Sequence, residues 1–168
     1  LGDVYKRQAS YMFENAVAEV VARLGDYCEL KVRRALKNSK VLSSDVSVAY
    51  DGDFAETCEK MNTAFLGNGI ALVKYTGSGG KGGSNDANAE FLQEVRTIFN
   101  EGNIVWQTGE LGKVDQGGGG TIALLLSKYG AEVVDCGPGL LNMHAPHEVA
   151  SKVDTYMCYK AYKVFMDR

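Results

Sequence analysis

The 168-residue chain has few prolines and few histidines, two of each. Its four cysteines, Cys28, Cys58, Cys136 and Cys158, form no CxxC pair, so they are expected as reduced thiols in a cytosolic protein, not as a disulfide frame or a zinc knuckle. No apolar run approaches the ~20 residues needed to cross a bilayer, and no secretory signal opens the sequence. The net charge of −3 gives no electrostatic basis for binding nucleic acid or an anionic membrane. Lys81 is followed by glycine, where a P-loop needs Ser or Thr, and no internal repeat is present. With 45% apolar and 23% charged residues, the expectation is a cytoplasmic globular protein of one ordinary domain.

Glycine, by contrast, is abundant, and much of it falls in two runs, at 77–83 and 117–120. Each run precedes a helical stretch. Bare backbone N–H groups in such a place can face a ligand, or the runs can be long surface turns.

Residues 10–37 carry apolar positions at three- and four-residue steps, from Phe13 through Val17, Val21, Leu24 and Cys28 to Leu36. Gly25-Asp26 divides them into two helices, with Asp26 as a cap. A strand is expected over Lys40 to Val48, delivering Asp45. A short helix follows over Phe54 to Asn62, then a buried strand over Gly69 to Tyr75. Ser84, Asn85 or Asp86 caps a helix running to about Asn100, with Ala87, Phe91, Val95, Ile98 and Phe99 inward. Strands at Ile104–Gln107, Glu132–Cys136 and Leu140–Met143, a helix over Thr121–Tyr129 stopped by Gly130, and a last helix from Pro146 to about Met166 complete the pattern. This alternation predicts an α/β fold, a mainly parallel central sheet with helices on both faces. Functional groups in such folds lie beyond the carboxyl ends of strands, where Asp45 and His144 are expected.

Three separated blocks, SSDVSVAYD (43–51), VKYTGSGGKGGSNDA (73–87) and LLNMHAPHEVASKVD (140–154), resemble the aspartyl aminopeptidase / aminopeptidase I family of zinc metallopeptidases, its bacterial branch most closely. The resemblance runs in order from about Tyr11 to the end. It implies that residues 9–168 form the C-terminal part of the metallopeptidase catalytic domain, with the upstream part missing. Residues 1–8 stand apart: VYKRQ resembles one reading frame of a transposon-end adapter used in sequencing libraries, the alternative being a disordered terminus.

The family holds two zinc ions, acts on peptide substrates and forms closed homo-oligomers. Its two metals are bound by a histidine, a bridging aspartate, a glutamate pair, a further aspartate and a final histidine. By resemblance Asp45 matches the further aspartate and His144 the final histidine. Both histidines of this chain lie near its C-terminus and it has no Glu-Glu dipeptide, so the general-base glutamate and the other ligands are expected upstream. Two ligands fall short of the three that a catalytic zinc site takes from protein, and the chain by itself is expected neither to hold zinc tightly nor to hydrolyse peptides. Lys74 matches a family lysine near the substrate. Gly119, Gly120 and Thr121 match a glycine-glycine-threonine turn whose N–H groups face substrate oxygen. His147, beyond Pro146, is expected on the surface of a helix's first turn. Members with acidic specificity carry a histidine three residues after the aspartate ligand; here that residue is Val48, which implies a neutral or hydrophobic first residue in the substrate.

Two other readings stay open. Gly77, Gly79 and Gly82 spell GxGxxG between a strand and a helix, the setting of a dinucleotide site, although Gly83 and Ser84 intervene before a plausible cap. A non-catalytic piece of an oligomeric scaffold is the other; an exposed apolar patch on the first helix would favour it.

Overall fold

The computed structural model describes residues 10–25, 27–77, 79, 85–113 and 115–168. The first eight residues, the Asp26 cap, Gly82 and Ser84 therefore lie outside the described residues.

Helix α1 (Met12–Arg23) and helix α2 (Glu29–Lys37) are separate, as the Gly25 signal implies. Gly25 sits at φ 90, a left-handed turn that costs glycine little. Helix α2 buries Val32 and Leu36, one turn apart on one face, whereas α1 buries none of its residues.

The expected strand from Lys40 to Val48 is two strands, β1 (Lys40–Ser43) and β2 (Ser47–Val48). The chain breaks around Asp45, whose Oδ1 accepts the N–H of Val46 at 2.9 Å. A carboxylate bonding its own neighbour's backbone competes with ladder bonds. The expected helix at Phe54–Asn62 is only a 3-10 turn, Ala55–Thr57. Strand β3 (Ile70–Val73) is buried at all four positions, and α3 (Ala89–Glu101) buries Phe91, Val95, Ile98 and Phe99. Its cap is Asn88, which accepts the Glu90 N–H at 2.9 Å, and not one of residues 84–86. Asn85 is used otherwise: its Nδ2 donates to the Val133 carbonyl at 3.2 Å.

Strand β4 is Trp106–Thr108, and α4 (Ala123–Ser127) is shorter than expected, ending before Gly130 at φ 82. Strands β5 (Glu132–Gly137) and β6 (Gly139–Leu141) follow, with Pro138 between them. The last helix does not start at Pro146. Residues 149–150 instead form β7 (Val149–Ala150), antiparallel to β6, and α5 (Lys152–Met166) begins behind Ser151, whose hydroxyl accepts the Asp154 N–H at 3.3 Å. His147 is thus an exposed loop residue and not part of a helical turn.

The two sheets have the orders β1-β5-β3-β4 and β2-β6-β7. Pairs β1/β5, β3/β4 and β2/β6 are parallel; β5/β3 and β6/β7 are antiparallel. Parallel pairing predominates, and an antiparallel pair occupies the centre of the larger sheet. The core lies between that sheet and helices α3 and α5. There Ile70, Leu72, Val95, Phe99, Val134 and Ala161 are almost fully enclosed. The first turn of α5 also buries a carboxyl group. Asp154 is fully enclosed, and its two oxygens accept the N–H groups of Gly67 at 2.7 Å and Gly69 at 2.8 Å.

Candidate active site

Two chain segments cross together from one sheet to the other: β1 continues into β2, and β5 into β6. Asp45 lies in the first crossing and Gly137-Pro138 in the second, with the Ser47 N–H bonded to the Pro138 carbonyl at 3.0 Å. A Cβ on Gly137 would overlap the Asp45 carbonyl, so only glycine lets the crossings approach this closely. Asp45 is half-buried.

His144 follows β6 in the exposed loop to β7. Its φ of 67 and that of Asn142, 55, are left-handed, unusual for residues with a side chain. The His144 N–H donates to Glu148 Oε1 at 2.6 Å, which ties the loop across its own base.

Asp45 and His144 line one cavity of about 300 Å³. Gly119, Gly120 and Thr121 form another part of its wall, and Val48, Leu111 and Met143 supply apolar surface. The two glycine-rich loops meet beside it. The Gly77 N–H donates to the Gly119 carbonyl at 2.9 Å, and Gly118, at φ 103, lies so close to the Gly77 carbonyl that any Cβ would overlap it. Of the GxGxxG residues, Gly77 is thus engaged with the second loop.

Lys74 is not part of this cavity. It lines a separate one of about 170 Å³ with Arg96 and Glu110, and its ammonium is paired with Asp86. Tyr75 also lines that cavity, its phenol pushed up to about 12, chiefly by its hydrogen bond with Glu110.

Asp135 is the residue that the sequence reading passed over. It stands in β5, 3% exposed, opposite Ser43 in the parallel register. Its Oδ2 accepts the Thr121 hydroxyl at 3.0 Å. Burial raises its pKa above the usual carboxylate value, against the opposing pull of the Ser43 and Thr121 hydroxyls; the charge of Asp45 adds to the rise. Ser43 favours the anion without completing a hydrogen bond to it: Ser43 Oγ and Asp135 Oδ1 are both without a partner among the described residues. The signal was an acid among the apolar residues Val133, Val134 and Cys136.

The donors that line the cavity, one carboxylate and one imidazole, are of the kinds zinc accepts. Among the described residues, however, no three His, Cys, Asp or Glu side chains are grouped closely enough to hold a metal ion. The set suits a metal chemically.

Residues 5–166 match the model of the family described as aminopeptidase I zinc metalloprotease (M18). A probable M18 family aminopeptidase 1 of Clostridium acetobutylicum is 55% identical over 158 residues, covering 94% of this chain and 34% of the relative. The crystal structure of aminopeptidase I from that organism superimposes with a TM-score of 0.85 at 52% identity, over 96% of this chain and 34% of the other. An M18 aminopeptidase structure from Thermotoga maritima gives 0.88 at 42% identity, over 93% and 35%. The chain therefore spans about a third of the length of the relatives it matches. From the fold, the paired segments and these similarities, this chain belongs to the aminopeptidase I zinc metalloprotease (M18) family.

Proposed function

We propose that the polypeptide containing this chain is a zinc-dependent aminopeptidase that removes N-terminal residues from peptides. The observation that carries the reading is the convergence of Asp45 and His144, remote in sequence, on one cavity walled by the 117–121 turn. Asp45 would hold one ion of a pair through its carboxylate and His144 the other through its imidazole. A bound zinc ion supplies Lewis acidity and a water of lowered pKa. The chain's own part is to present these two donors, to offer backbone N–H groups of the 119–121 turn to the substrate, and to shape the pocket. Val48, Leu111 and Met143 on the wall suit a neutral or hydrophobic first residue, since an apolar wall does not compensate a buried substrate carboxylate.

The chain by itself is proposed to be inactive and unable to hold zinc tightly, because one protein donor per ion is too few. The general-base glutamate and remaining ligands would come from the rest of the polypeptide. The four free thiols agree with work in a reducing cytosol. Helix α1 buries none of its residues, and Met12, Phe13 and Val20 stand exposed. That face supports assembly into a homo-oligomer, to be tested by sedimentation of the complete protein.

The test is hydrolysis of leucyl- and aspartyl-p-nitroanilide by the complete polypeptide, with and without chelator. Expected are chelator-sensitive activity that favours the leucyl compound and its loss in Asp45→Asn and His144→Ala. Full activity in both variants would overturn the assignment.

A further inference from the structure

The 117–120 glycines are held through backbone alone: the Gly117 N–H donates to the Lys113 carbonyl at 2.7 Å and the Gly119 carbonyl accepts the Gly77 N–H at 2.9 Å. The four glycines offer no side chain with which to fix the turn further. Thr121 is the first residue after them with a side chain, and its hydroxyl makes two bonds. It accepts the Ala123 N–H at the start of α4 at 3.3 Å, and it donates inward to Asp135 Oδ2 at 3.0 Å. Asp135 belongs to β5, a strand paired on both sides in the larger sheet. The hydroxyl–carboxylate contact is thus the turn's side-chain tie to the larger sheet, beside its backbone bonds to Gly77 and Lys113.

That contact is a poor way to gain stability. Asp135 is 3% exposed, its other oxygen has no partner among the described residues, and neither has the neighbouring Ser43 hydroxyl. A buried, half-satisfied carboxylate costs folding energy that valine at the same strand position would not. A feature that costs stability and ends at a cavity wall calls for a role at the cavity.

We propose that Asp135 is a positioning residue: acting through Thr121, it fixes the 117–121 turn so that the turn's backbone donors meet the substrate. The role rests on the aminopeptidase reading above. It requires no contact between Asp135 and substrate or metal.

The experiment uses the complete polypeptide, leucyl-p-nitroanilide as probe, and the variants Asp135→Val, Asp135→Asn, Thr121→Val, Thr121→Ser and the double valine variant. Asp135→Val and Thr121→Val are each expected to lower kcat/KM by about a hundredfold, the scale of a misplaced substrate contact. The double variant should lose no more than either single one, because both break the same link. Asn and Ser, which keep an acceptor and a donor, should restore most of the activity. Zinc content and melting temperature should not fall, while amide exchange over 117–123 should accelerate in Asp135→Val. Unchanged kcat/KM in both valine variants of an active wild type would overturn the proposal, as would losses that multiply or that track a falling melting temperature. If the wild type itself cleaves nothing, the aminopeptidase reading fails separately. Exchange over 117–123 then decides this one, and an unchanged rate in Asp135→Val sinks it.

Discussion

The α-carbon of Gly137 faces the carbonyl of Asp45 at a distance that leaves no room for a methyl group. Gly137→Ala therefore must either push Asp45 out of place or open the β1/β5 crossing. Overpacking of this kind costs about 1–3 kcal/mol. The expected outcome is a urea midpoint lowered accordingly and, in the complete polypeptide, loss of activity beyond what the stability change accounts for. Gly119→Ala is the contrast, since a Cβ there meets nothing within 4 Å; its stability should be close to wild type.

Asp154 ties α5 to the 67–69 turn by two hydrogen bonds from backbone N–H groups, the one from Gly69 buried. Asp154→Ala leaves the buried Gly69 donor without its partner, at about 1–3 kcal/mol, while the exposed Gly67 N–H can turn to water. Denaturant unfolding should show this as one of the larger losses of any single polar substitution in the chain. Asp154→Asn keeps one acceptor and should lose less.

Phe99 is fully enclosed between α3 and the larger sheet. Phe99→Ala should destabilise by about 3–5 kcal/mol, the usual range for emptying an aromatic site in a core. Calorimetry of the variant checks this.

Alkali should weaken the fold. Burial pushes the Cys158 thiol up to about 11 from an ordinary 9.0, and the bond to Glu110 carries the Tyr75 phenol to about 12 from 10.0. Burial also raises the Cys136 thiol and the Tyr162 phenol. In each case the folded chain retains a proton that the unfolded chain releases. This contribution to stability is complete below about pH 9, where neither state has ionised, and is lost as pH rises through the folded values. Urea midpoints should fall steadily between about pH 9 and 12. An invariant midpoint over that window would show these groups to be solvated.

The thiols should also divide by reactivity. Cys28 is exposed, whereas Cys58, Cys136 and Cys158 are buried. Iodoacetamide at neutral pH should modify Cys28 alone in the native chain and all four after denaturation, as counted by mass spectrometry.

Much of the architecture was legible because burial imposes a period. Phe91, Val95, Ile98 and Phe99 repeat at helical spacing and all four are enclosed, and the apolar run Ile70–Val73 is a fully buried strand. The direction and order of strands left no such trace: nothing local marks β5 as parallel to β1 and antiparallel to β3. Pro146 suggested a helix start, but residues 149–150 pair with β6, and a partner that close in space overrides a local preference. Asp45 and His144 were singled out as candidates through similarity of whole segments; their spacing alone would have suggested a turn residue and a surface histidine. Asp135 stood out as an acid among Val133, Val134 and Cys136, yet its partner Thr121 became apparent only once β5 and the glycine turn were seen side by side.

Strands β2 and β6 are joined by only two register pairs, Ser47 with Gly139 and Val48 with Leu140. Asp45 stands two residues before the first of these rungs and His144 four after the second. The separation of the two side chains is therefore counted out in residues from a very short ladder. Adding or deleting one residue within 46–47 or 141–143 would rotate one of them away from the other, whereas a change of length in the 51–62 stretch alters nothing in that count. Lineages of this protein should vary freely in the second region and keep a constant length in the first.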